Sequence, residues 1–160
     1  DKHDSGWEVD GRRSFMMSRD LILRLEEEML PHTTNRFDDG LLNMDIEDDS
    51  RNAVWNIFAR AEKQAFIDGG EHVMIAETEH WKGVIDSLFT KTGNGELDSC
   101  TAIDSHGGVE LVFKSCFHPA LLIGRLMACW QRAYGRQPRA EWRQNDGFHV
   151  IKVCSRHEIA

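Results

Sequence analysis

The chain has 160 residues, enough for one domain with its own core, and its 41% hydrophobic content argues against wholesale disorder. Net charge is −8 at pH 7, which disfavours non-specific binding to nucleic acid, where phosphate contacts dominate affinity. Apolar runs are only a few residues long, too short to span a bilayer.

The acidity is uneven. Residues 1–80 hold most of the acids, whereas residues 81–160 are slightly basic, so a local basic patch is conceivable only in the second half. Four cysteines stand at 100, 116, 129 and 154, with no Cys-x-x-Cys pair. They read as free thiols in a reducing compartment, so the expected location is cytoplasmic.

Residues 1–17 show no apolar period and read as a flexible arm, either processed or foreign to the native protein. Residues 18–160 read as a single α+β domain, helical over 18–68 and a split βαβ unit over 71–154. Ser18 caps a predicted helix over 19–30, with Leu21, Ile22, Leu25 and Met29 as its apolar stripe. Pro31 ends it.

A long acidic connection follows. It holds Asp38, Asp39, Asp45, Glu47, Asp48 and Asp49, with Leu41, Leu42, Met44 and Ile46 among them. The spacing fails the calcium-loop pattern, because no Gly occupies the turn and no Glu closes the loop. Apolar residues interleaved with acids suit a loop that docks on another protein. Ser50 then caps a helix carrying Val54, Trp55, Phe58, Ala61, Ala65 and Phe66 on one side, ended by Gly69-Gly70.

Residues 72–76 form a short, continuous apolar run, as expected of a central strand covered on both faces. Thr78 starts a helix with Trp81, Val84, Ile85, Leu88 and Phe89 as its apolar face, and Gly93-Asn-Gly95 stops it. Strands at 97–103 and 109–113 flank a glycine turn. His118-Pro119 opens the clearest helix, closed by Gly135. Strands at 140–143 and 148–153 flank Gln144-Asn-Asp-Gly147.

Set aside the short 140–143 strand, and the order is βαββαβ. The natural closure is a ferredoxin-like sheet with two helices on it, preceded by two N-terminal helices. In that sheet, strand 72–76 lies between the strands at 109–116 and 148–154, and the 140–143 strand is an edge addition. One rim would then gather His72, Cys116, His118, Cys154 and His157, the ligand types zinc prefers. The same rim supplies a Cys/His pair for thiol chemistry. Arg125, Arg132 and Arg136 fall near one side of the last helix and form a candidate anion-binding stripe, suited to an acidic partner or a nucleic acid.

Three functions follow, in order. The first is a non-enzymatic protein-binding regulator, inhibitor or adaptor acting through the acidic loop, with Asp38, Asp39, Leu42, Asp45 and Asp48 as contact residues, another protein as partner and no cofactor. The second is a zinc-dependent or thiol enzyme using the Cys/His rim. The third is nucleic-acid binding through the arginines. No membrane association is expected.

Overall fold

The computed structural model describes residues 16–33 and 40–157, together with the backbone of residues 2–3, 6–9 and 12–14. The segment read as an arm contains three short antiparallel strands, β1 (Lys2–His3), β2 (Gly6–Val9) and β3 (Arg12–Ser14). Helix α1 (Arg19–Met29) follows, capped by the Ser18 hydroxyl, which accepts from the Leu21 amide at 3.2 Å. A 3-10 turn at Leu30–His32 takes Pro31 in its first turn, where no amide is needed.

Strand β4 (Leu42–Met44) arises inside the acidic connection. Helix α2 (Asp49–Asp68) is capped by Asp48 rather than by Ser50; Asp48 Oδ1 accepts from the amides of Ser50 and Arg51 at 2.9 and 3.1 Å. Helix α3 (His80–Ile85) runs into a π-helical turn at Asp86–Thr90. Then come β5 (Gly95–Ala102), β6 (Val109–Cys116), α4 (Pro119–Tyr134), β7 (Pro138–Asn145) and β8 (Phe148–Ser155).

The main sheet has five strands in the order β4-β7-β8-β6-β5, with β4 parallel to β7 and the other pairs antiparallel. This corrects the ferredoxin-like expectation. Residues 72–76 form no ladder; the place reserved for them beside 109–116 is taken by β8, which pairs directly with β6. Their composition misleads because the run is buried in alternation rather than throughout. Val73 and Ile75 are buried, while Met74 between them is 86% exposed. An extended connector lying across a core edge buries every second residue as a strand does, without needing a partner.

The 140–143 strand, expected at an edge, is the interior strand β7, between β4 and β8. The β7–β8 hairpin turns on Asp146 and Gly147, both with positive φ (50° and 82°), the conformation of a two-residue type I′ turn.

Helix α4 organises the core. His118 Nδ1 caps it, Pro119 occupies its first position, and Gly135 at φ 67° ends it in the left-handed conformation. It is buried nearly all round, as a helix covered on both sides must be. One side meets the sheet's inner residues, among them Leu111, Phe113, Ile151 and Val153, all fully buried. The other side meets α2 so closely that a Cβ at Gly124 would lie 2.2 Å from the Ala59 carbonyl oxygen. Trp81, Ile85 and Phe89 of α3 and the π turn complete the core.

The sheet's outer face is polar, which lets it meet water without a covering layer. One row across it reads Asn43, Glu141, Lys152, Glu110, Thr101, and Lys152 lies 3.9 Å from Glu110. Among the described residues no helix is long and apolar enough to cross a membrane.

Candidate functional site

The acidic segment and the sheet edge coincide. A cleft of about 300 Å³ opens beside β4, lined by Asp45 and Glu47 from the acidic segment and by Glu141, Trp142, Arg143, Val150 and Lys152 from β7 and β8. The backbone fixes the acidic wall: the Asp45 amide donates to the Trp142 carbonyl at 3.0 Å, and the Ile46 amide turns back to Met44 at 2.8 Å. Asp45, Glu47, Asp48 and Asp49 are exposed, whereas Leu42 and Ile46 are half-buried against the core. The acids divide their roles. Asp48 is engaged in capping α2, and Asp49 lies in the helix's first turn, where the dipole favours it. Asp38 and Asp39 lie outside the described residues.

The five residues expected at a metal rim are dispersed. Because β6 and β8 are antiparallel, with Val109 opposite Val153 and Phe113 opposite His149, Cys116 and Cys154 stand at opposite ends of the sheet. At ~3.3 Å per residue along a strand, roughly 25 Å separates those ends. Cys154 instead accepts from Arg139 Nε at 3.2 Å, His72 and His157 lie at the surface, and His118 is buried at the start of α4. Among the described residues no three His, Cys, Asp or Glu side chains gather as a ligand set. Burial pushes the Cys116 thiol up to about 12, far from the thiolate a nucleophile needs.

The arginine stripe is engaged within the chain. Arg125 Nε donates to Glu62 at 2.8 Å and its Nη1 to the Leu88 carbonyl at 2.7 Å, with its guanidinium over the Phe66 and Phe89 rings. Arg132 donates to the Ile67 carbonyl at 3.0 Å. Arg136 donates to the His106 carbonyl at 2.6 Å and lies over Trp130, 5.3 Å from its centroid. These bonds tie α4 to α2, to the π turn and to the β5–β6 loop.

Two other hollows are larger but less telling. One, of about 460 Å³, is walled by the 104–108 loop, whose groups already satisfy one another: Asp104 Oδ1 accepts from the His106 and Gly108 amides, and the Gly107 carbonyl accepts from Trp130 Nε1. The other, of about 590 Å³, is an open groove past Met74 and His80, and there His80 Nδ1 accepts from the Ala76 amide at 3.0 Å as a turn cap.

Sequence reasoning missed a buried polar cluster. Glu26 and His118 are 2% and 1% exposed. The Glu26 carboxylate accepts from Trp55 Nε1 and meets Arg51 Nη1 at 3.2 Å, and His118 Nε2 stands 3.6 Å from it. His118 Nδ1 accepts from the Ala120 amide at 3.1 Å. Rings close the socket: Trp55 is edge-on to His118 at 4.9 Å and to Trp142 at 5.1 Å, and Phe58 is edge-on to His118 at 5.6 Å. Burial, reinforced by Arg19 and Arg51 against the pull of Glu26, lowers the His118 pKa below the ordinary histidine value. The one signal in the chain is the spacing Ile22–Glu26, a full turn apart. It was masked by Leu21 and Leu25, which complete an apolar stripe yet are 44% and 43% exposed.

Comparison with known protein families and with curated proteins finds no match.

Proposed function

We propose that this chain is a protein-binding module, a regulator, inhibitor or adaptor, that receives a basic segment of its partner at the acidic wall beside β4. The observation that carries this reading is the backbone-fixed segment that presents exposed Asp45 and Glu47 to the cleft, rooted by half-buried Leu42 and Ile46 at the edge of the sheet. Fixed acids cost a partner little ordering, and an edge leaves room for an extended chain to approach.

β4 is only three residues long, too short to hold a partner strand by ladder bonds alone. Side-chain charge therefore supplies most of the recognition, and salt weakens it. Arg143 in the same lining disfavours a partner with a broad basic face, whereas a single basic run fits Asp45 and Glu47.

The test is quantitative affinity capture with the wild-type protein and with the double variant Asp45→Asn, Glu47→Gln. The reading expects a basic protein bound by the wild type, released by added salt and lost on the variant. Identical capture by both proteins refutes it.

A further inference from the structure

Among the described residues, helix α1 is held to the body by few buried groups. Its only buried side chains are Ile22 and Glu26. A buried carboxylate anchors a helix only while its charge is matched, and the matching groups all come from outside α1: Arg51 and Trp55 of α2, and His118 at the start of α4. A further polar anchor, Arg19 Nε to the Phe117 carbonyl at 3.0 Å, lands one residue from His118. Two of the anchors of α1 therefore converge on the junction that opens α4, while the exposed Glu27 on its other side pairs with Arg51 of α2 at 3.0 Å.

We propose that Glu26 and His118 form an acid-sensitive latch: protonation of His118 frees α1 while the sheet stays folded. The hydrogen bonds assign the neutral ring. Nδ1 accepts the Ala120 amide, so the single ring proton sits on Nε2, facing Glu26. Among the described residues Nε2 has no hydrogen-bond partner of good geometry. A second proton has to enter at Nδ1, where it meets the Ala120 N–H donor to donor. The cap is lost, and a charge appears in a site sealed from water.

The groups facing that charge come from every packed element. From α1 there are Glu26, which favours it, and Arg19, which opposes it; from α2 there is Arg51, which also opposes it. The Trp55 and Phe58 rings of α2 offer no counter-charge. On β6, Cys116 is a neutral thiol. On the sheet side, His149 lies beyond Trp55 and Trp142, with the Trp142 indole donating to its Nδ1 at 3.2 Å. Within α4 the nearest charged side chain, Arg125, is occupied by Glu62. The imidazolium is left with Glu26 in its favour, Arg19 and Arg51 against it, Arg51 being shared with Glu27 at 3.0 Å, and no solvent. The ring reaches water by moving α1, which holds to the body through only two buried side chains. This inference stands apart from the acidic docking wall and holds whether or not that wall binds a partner.

The test is amide hydrogen exchange of the full chain at pH 7.5 and pH 5, each corrected for intrinsic rates. The latch predicts that at the lower pH α1 loses protection by about 10-fold or more beyond whatever β6 and β8 lose with the global stability. His118→Gln retains an acceptor for Ala120 and a donor toward Glu26 but does not titrate, so α1 should be equally protected at both values. His149→Gln should respond as the wild type does. Equal loss of protection in α1 and β8, or a wild-type response in His118→Gln, overturns the proposal. If His118→Gln does not fold, an NMR titration of the wild-type imidazoles decides. The His118 midpoint must coincide with the loss of α1 protection, and a midpoint displaced by about one pH unit or more overturns the latch.

Discussion

Substituting Gly124 by Ala tests the contact that holds α2 on α4. The new Cβ would stand 2.2 Å from the Ala59 carbonyl oxygen, 2.9 Å from its carbonyl carbon and 3.0 Å from its Cα. Ordinary carbon–oxygen contacts lie near ~3.3 Å, so the helices must part by roughly 1 Å. All three obstructing atoms are backbone, and no rotamer change relieves them. Alanine gains about 1 kcal/mol over glycine inside a helix, while overpacking a close-packed interior costs about 1–3 kcal/mol. With backbone on the obstructing side the cost falls at the upper end, leaving a net loss of about 2 kcal/mol. In a chain of this size that lowers the melting temperature by roughly 4–8 °C. Gly83 in α3 is the control, because nothing lies within 4 Å of the position its Cβ would take. Gly83→Ala should gain up to about 1 kcal/mol from the same propensity. Thermal unfolding followed by circular dichroism reads both. A Gly124→Ala protein as stable as the wild type, or shifts of the same sign in the two variants, would refute the packing argument.

Thiol reactivity follows burial: Cys116 and Cys129, whose thiols are pushed up to about 12, should resist a disulfide reagent at pH 8 until the protein unfolds. Rapid modification of either in the native protein contradicts the fold. Trp130→Phe strands the Gly107 carbonyl, which now accepts from the indole at 2.9 Å, and should cost about 2–3 kcal/mol by urea denaturation while speeding proteolysis within 104–108. An unchanged urea midpoint contradicts that account. Stability should fall in acid, because burial lowers the pKa of both His118 and His149. The unfolded chain takes up those protons first, so their contribution is complete above about pH 6.5 and is lost as the pH drops through the folded values. A urea midpoint equal at pH 7.5 and pH 5 contradicts this sign.

Local signals in the sequence were sound where they act locally. His118-Pro119 and Gly135 bound α4 because a cap and a left-handed glycine need only their own neighbours. Asp146-Gly147 likewise specifies its hairpin unaided. Strand order is different, because a ladder is a property of two segments. Residues 72–76 have a strand's composition, yet the place beside β6 is taken by β8, in a register from Val109–Val153 to Phe113–His149 that its hairpin with β7 also holds in place. β4 was hidden for the opposite reason: three residues give too little alternation to stand out among acids. With the strand order misread, the thiol rim followed it. The Glu26 cluster was illegible because its four members come from α1, α2 and the α4 cap, and each alone has a plainer role.

The docking wall is tested most directly by site-specific photo-crosslinking. Asn43 and Thr101 are both exposed and lie in the same row of the outer face, at opposite edges of the sheet. A photoreactive residue at 43 should capture the basic partner, with the yield falling as salt rises, while the same residue at 101 should not. Equal yields at the two edges, or capture only from 101, would contradict a partner seated beside β4.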